Sequence, residues 1–209
     1  MKTVKFFLSF VFFVVGVVLA AWFFMPWKQV GESALLFAAR WTSSRIAYAS
    51  VGGVPGGFSV QGLEVHGLLG MVDISFRTLT VTPDIASSLL NMVPTCRFAF
   101  TGGALGDIAV TPRKKIPGIF LGSGRVAASF TEEEVLLEDL RSNGDLTLNG
   151  TLLFALSDGP FIRQADVMLA VNFAPFEKEL PSLQMAFGLP LRQEASGRWS
   201  LRQARGEVK

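Results

Sequence analysis

The sequence predicts a mainly β protein: an N-terminal transmembrane helix, then a curved, mostly antiparallel β-sheet with a few short helices. Three observations carry that prediction. Residues 6–27 contain no charged side chain. From residue 58 onward, apolar residues recur at every second position, the period of a half-buried strand. Glycine, proline, asparagine and aspartate punctuate those runs at short intervals, as turns require.

The charge-free stretch reads FFLSFVFFVVGVVLAAWFFMPW, between Lys5 and Lys28. At about 1.5 Å per helical residue it spans roughly 33 Å, enough to cross a hydrocarbon core. Phe6, Phe13 and Val18 lie along the span. Trp22 and Trp27 stand near its far end, where amphipathic rings favour the headgroup level. Lys2 and Lys5 hold the short stub in the cytoplasm by the positive-inside bias, so residues 29–209 lie across the membrane. Val18-Leu19-Ala20 resembles a signal-peptide cleavage site. The apolar run continues past it through Trp22-Phe23-Phe24-Met25, longer than the ~7–15 residues of a signal core, which favours an uncleaved anchor. Gly16 and Ala20 form a small-xxx-small pair, more simply read as apolar filler than as a helix-pairing face.

The expected organisation is a stub and anchor over 1–28, an amphipathic helix and Gly-rich linker over 29–57, and an exported β-rich domain over 58–209. Of the nineteen Lys and Arg residues three precede residue 29, whereas all seventeen acids follow it. The exported part is therefore almost neutral, which excludes a nucleic-acid partner recognised by charge. One cysteine, Cys96, and one histidine, His66, leave no internal disulfide. His66 reads as a turn residue beside Gly67, and Cys96, in step with Phe98 and Phe100, as a buried, inert one. No spacing suggests a metal or cofactor site, and no catalytic constellation emerges.

Along the chain, Gly31–Tyr48 reads as a short amphipathic helix with Ser33 as its cap, lying on the domain or near the membrane surface. Val51-Gly-Gly-Val-Pro-Gly-Gly57 reads as a flexible turn segment. Residues 58–65 and 71–81 read as strands, the second changing parity near Arg77-Thr78 through a bulge or because both faces are apolar. Thr82-Pro83-Asp84 starts a short helix that buries Ile85 and Leu89 and ends near Asn91. Residues 97–101 and 104–111 form a hairpin about Gly102-Gly103. Arg113, Lys114 and Lys115 then occupy a basic loop tip, more simply a solvated turn than a contact with anionic lipid or an acidic partner. Residues 124–130 are a strand, and Thr131 to Glu134 matches a capping box opening a helix over 133–140.

Asn149-Gly150 is a local hairpin signal. A hairpin there would place Asp145 and Thr147 on one face with Leu152, Phe154 and Leu156. A continuous strand over 145–157 instead aligns Leu146, Leu148, Leu152, Phe154 and Leu156, so the strand is preferred. The turn is then Ser157-Asp158-Gly159-Pro160, and the return strand presents Val167, Leu169 and Val171 to the same apolar face. A short helix over 177–187 and a closing strand with Trp199 and Leu201 complete the chain.

Several of these pieces together resemble the type II secretion system protein N family: the anchor before a β-rich domain, TVTPDIASSLLN, RFAFTGGALGDIAV, SNGDLTLNGTLLFAL, LAVNFAP and LPLRQEASGRWSLR. The resemblance spans most of residues 58–203. The chain departs from the family at its end, where LRQARGEVK stands in place of a G-T-L strand followed by proline. The family is similar in design to AsmA-like envelope proteins. The resemblance implies a non-enzymatic, single-pass accessory part of a secretion machine in the bacterial inner membrane, its main domain periplasmic and its partners other machine proteins. The alternative is an AsmA-like protein that binds or transfers lipid through its apolar sheet face.

Overall fold

The computed structural model describes residues 13, 16–17, 22, 24–42, 44–68, 72–111, 114–155, 161–187 and 189–203. Most of the predicted anchor, Phe6 and Val18 included, lies outside them. Phe13, Gly16, Val17, Trp22 and Phe24 are helical. Among the described residues no helix is long and apolar enough to cross a membrane.

Helix α1 (Trp27–Thr42) begins four residues before the predicted one and ends six before it, so Ser33 lies inside it rather than at its cap. The helical conformation is interrupted at Met25-Pro26, and the Pro26 carbonyl accepts from the Gln29 and Val30 amides to start α1. Strand β1 (Arg45–Ala47) follows directly, where the sequence reading continued the helix. The predicted Gly-rich linker is instead strand β2 (Ser50–Val54), which turns at Pro55-Gly56 into β3 (Gly57–Leu68). Strand β4 (Val72–Pro83) pairs with β3 in the expected antiparallel sense.

Helix α2 (Ile85–Asn91) is capped by Asp84 rather than Thr82 and stops at Met92, whose φ of 54° closes it in the left-handed region. It buries none of its residues, contrary to the expectation for Ile85 and Leu89. Strand β5 (Thr95–Leu105) continues through Gly102-Gly103, with shifts of its register to β8 there, so the hairpin expected there does not form. The hairpin lies further on, between β6 (Ile108–Thr111) and β7 (Lys114–Ile116).

Strand β8 (Ile119–Phe130) is followed by β9 (Glu134–Ser142), a strand where the capping box suggested a helix. The local hydrogen bond is the one the motif promises: Thr131 Oγ1 accepts from the Glu134 amide at 2.9 Å. The Thr131 amide, however, donates to the Glu134 carbonyl at 2.9 Å, which closes a hairpin turn. Strand β10 (Leu146–Ala155) is continuous through Asn149-Gly150, as predicted, and pairs with β11 (Phe161–Val171). The preceding turn uses the other Asn-Gly pair, Asn143-Gly144. Buried Ser142 locks it by donating to the Leu146 carbonyl and accepting from the Leu148 amide. Helices α3 (Ala174–Glu177) and α4 (Leu180–Phe187) replace the single expected helix. Strands β12 (Leu191–Ala195) and β13 (Arg198–Gln203) finish the sheet, β12 being an element the sequence reading lacks.

The large sheet is antiparallel throughout, eleven-stranded, in the order β1-β3-β4-β5-β8-β9-β10-β11-β13-β12 with β2 also on β3. The parity change in β4 needs no inserted residue. The β3–β4 and β4–β5 ladders keep their register past Arg77 on both sides. The neighbours facing Arg77, Gly62 and Gly102, both have positive φ. These glycines turn the backbone in a region that L side chains avoid, so Val60 and Leu63 both reach the core despite opposite parity. The crease continues in β9, where Asp139 (φ 50°) is an extra residue against both β8 and β10.

Two apolar cores fill the inner face. One joins Trp27 and Leu35 of α1 to Val51, Phe58, Val60, Leu63 and Val81. The other joins β8, β10, β11 and β13 to Phe176, Leu180 and Leu183 of α3–α4 and Ile116 of the hairpin. Phe76 and Leu79 pack against both, which makes the interior continuous.

Candidate interaction surfaces

Alternation holds through β11 and through β10 as far as Gly150; beyond it Leu153 and Ala155 are buried in place of Leu152 and Phe154, and the β10–β11 register shifts between Leu153 and Phe154. Leu146 opposes Val171, Leu148 opposes Leu169, and Gly150 opposes Val167. Leu146, Val167 and Val171 are buried in the larger core, while Leu148, Leu152 and Leu169 are half-buried against it. Phe154 is half-buried, and Leu156 lies outside the described residues. Gly150 is required here. A Cβ on it would stand 2.1 Å from the Asp166 carbonyl oxygen and 2.7 Å from Val167 Cα. The strand pair closes only because that position has no side chain.

Of the other named residues, Phe13 is helical and exposed. Trp27 is buried in the smaller core, so it belongs to the folded domain. Its indole N–H donates to the Trp22 carbonyl at 3.1 Å, and the two rings meet edge to face at 4.5 Å. Lys114 lies in β7 and Lys115 is exposed on the same strand, while Arg113 is outside the described residues.

The outer face of β4, β5, β8 and β9 carries an open groove of about 550 Å³, lined among others by Thr80, Arg97, Ala99, Arg125 and Glu138. Its cations are already paired. Arg97 binds Asp84 at 2.6 Å, and Asp139 bridges Arg125 at 2.8 Å and Arg141 at 2.7 Å. Asp84 also accepts from the Ser87 amide and hydroxyl. These bonds, the amide first, hold its carboxyl below the usual carboxylate range, with Arg97 adding to the effect. The sequence reading named none of this groove. Its outward residues alternate with Phe98 and Val126, and that alternation was the available signal.

Cys96 and His66 do not meet. Cys96 pairs with Pro83 at one end of β4, and His66 Nδ1 lies 3.3 Å from Asp73 near the other. Ten residues of strand separate those points, roughly 33 Å. Cys96 is half-buried rather than fully buried, and loss of solvent pushes its thiol pKa up. Asp73 is held below its ordinary value, first by the Gly67 amide at 2.8 Å and then by His66. Among the described residues no group of three or more His, Cys, Asp or Glu side chains is placed to hold a metal ion.

Comparison with known proteins gives one family. Its model, described as type II secretion system protein GspN-like, Synergistales, matches residues 2–203. No curated protein and no solved structure matches. With the match running from the apolar segment to the last strand of the sheet, the chain belongs to the type II secretion system GspN-like family.

Proposed function

We propose that this protein is a non-enzymatic, single-pass inner-membrane accessory component of a type II secretion system. Its amino terminus is cytoplasmic, and its periplasmic β-domain acts by binding other proteins of the machine. The observation that carries this reading is the extent of the family match, which takes in the apolar segment and the whole sheet as one unit. The contact mechanism draws support from the open sheet. Among the described residues, strand β12 at one edge, and β1 with β2 at the other, leave backbone groups able to pair with an added strand. Arg192, Gln193 and Glu194 of β12 are exposed along that edge.

Photo-crosslinking from Gln193 in the native host tests the reading, together with secretion assayed after deletion of the gene. Cross-links to inner-membrane secretion components and loss of the secreted substrate are expected. Normal secretion with no such cross-link would refute the proposal. Intact mass of membrane-extracted protein tests the anchor separately: a mature start at Ala21 would replace it by a cleaved signal.

The lipid-binding alternative rests on Leu148, Leu152 and Leu169, half-buried against the larger core. The contact reading is favoured because α3, α4 and the β6–β7 hairpin already seat their own apolar side chains on the larger core.

A further inference from the structure

Helix α2 is inside out for a helix in water. Its polar side faces the protein. Ser88 Oγ donates to the Asp84 carbonyl at 2.7 Å and accepts from the Thr95 amide at 2.9 Å, and Ser87 is held by the Asp84 carboxylate. Its apolar side faces out: Leu89 is 69% exposed, Leu90 84% and Met92 87%, with Ile85 beside them. Surface helices bury the apolar stripe and solvate the polar one. Here the serine hydrogen bonds hold the opposite orientation. No charged residue occurs between Asp84 and Arg97, and those two neutralise each other at 2.6 Å.

The position of this patch identifies what covers it. Trp22, from the charge-free segment, shares a shallow depression with Pro55, Gly56, Pro83, Asp84 and Ile85. The α2 loop therefore stands at the end of the sheet from which the apolar segment departs. We infer that α2 is a second membrane contact, its Leu89, Leu90 and Met92 inserted at the headgroup–acyl boundary beside the anchor. This rests on the anchor reading above. An apolar face of this kind lies roughly 5–10 Å into the interface and adds to binding in proportion to its buried area. Together with the anchor it gives the domain two points of attachment, which fixes the tilt of the sheet relative to the membrane and so the direction in which its edges face.

The test uses the full chain in phosphatidylethanolamine–phosphatidylglycerol vesicles. Leu90→Cys is labelled with an environment-sensitive fluorophore. Asn172→Cys, exposed at the opposite end of the sheet, is the comparison, and the unsubstituted chain is the blank for labelling at Cys96. The expected result is several-fold stronger quenching at residue 90 than at residue 172 by lipids spin-labelled near the headgroup, with protection from aqueous iodide. Leu89→Cys repeats the readout should one substitution disturb the loop. Retention after an alkaline wash, with a label at 90 open to iodide and untouched by lipid quenchers, overturns the inference and leaves the anchor standing. Protection from iodide without lipid quenching also overturns it, assigning the patch to a protein partner or a second copy. Extraction by the alkaline wash overturns the anchor reading and this one together.

Discussion

Replacing Gly150 by alanine should strongly destabilise the sheet, because the position is closed by backbone. The new Cβ would fall 2.1 Å from the Asp166 carbonyl oxygen and 2.7 Å from Val167 Cα, both main-chain atoms of the adjacent strand. No rotamer change relieves that, and β10 and β11 must separate locally. Gly150 also has φ of 154°, at the margin of the region glycine favours. Overpacking costs about 1–3 kcal/mol. A strained backbone adds about 1–3 kcal/mol. The expected loss is then roughly 2–6 kcal/mol, read from urea unfolding of the full chain in mild detergent by tryptophan fluorescence. Asn149→Ala, at the exposed neighbour, should stay within about 0.5 kcal/mol. Hydrogen exchange gives a second reading: amides 149 and 150 should exchange slowly with the rest of the ladder. A near-neutral Gly150→Ala with fast exchange at both amides would mean a turn there, and the continuous apolar face would fall with it.

Leu146→Ala removes a buried core side chain opposite Val171 and should cost about 2–5 kcal/mol by the same unfolding assay. Asp84 caps α2 with a lowered pKa, so its contribution is complete above the ordinary carboxylate value of about 3.9 and fades as pH falls through the lower folded one. Exchange of the Ser87 and Ser88 amides should accelerate across that acid window, and Asp84→Asn should abolish the dependence. Cys96 should react with a charged maleimide more slowly than a free thiol at neutral pH, and its rate should keep rising beyond about pH 8.5, because burial raises its pKa. Fast labelling at neutral pH would show an open site.

Alternation was the legible part of this chain. Phe98 and Phe100, and Leu146, Leu148 and Leu152, repeat at the strand period over enough residues to outweigh a local Asn-Gly signal. Where a motif was short, it misled. Thr131 makes its promised hydrogen bond to the Glu134 amide, yet that bond serves a helix cap and a hairpin turn equally well. Pairing of β9 with both β8 and β10 decides between them, and it involves residues far apart in the chain. Gly102-Gly103 looked like a turn for the same reason, and the neighbouring strands β4 and β8 carry β5 through it. The outer groove was hidden because its arginines and carboxylates come from separate strands.

The class of fold, the family resemblance, the continuity of β10 through Asn149-Gly150 and the presence of one long charge-free segment are legible in the sequence alone. The resemblance rests on the segments quoted above; the others follow from periodicity or composition, which act locally and sum along the chain. Only in the assembled fold does Asn143-Gly144 turn, the sheet crease beside Arg77 and α2 take its direction. Ile85 and Leu89, four apart, specify an apolar stripe but not its direction. The Ser88 bond to the Thr95 amide aims that stripe outward. A hydrogen bond to a strand amide seven residues away is a property of the assembled fold, and no local pattern encodes it.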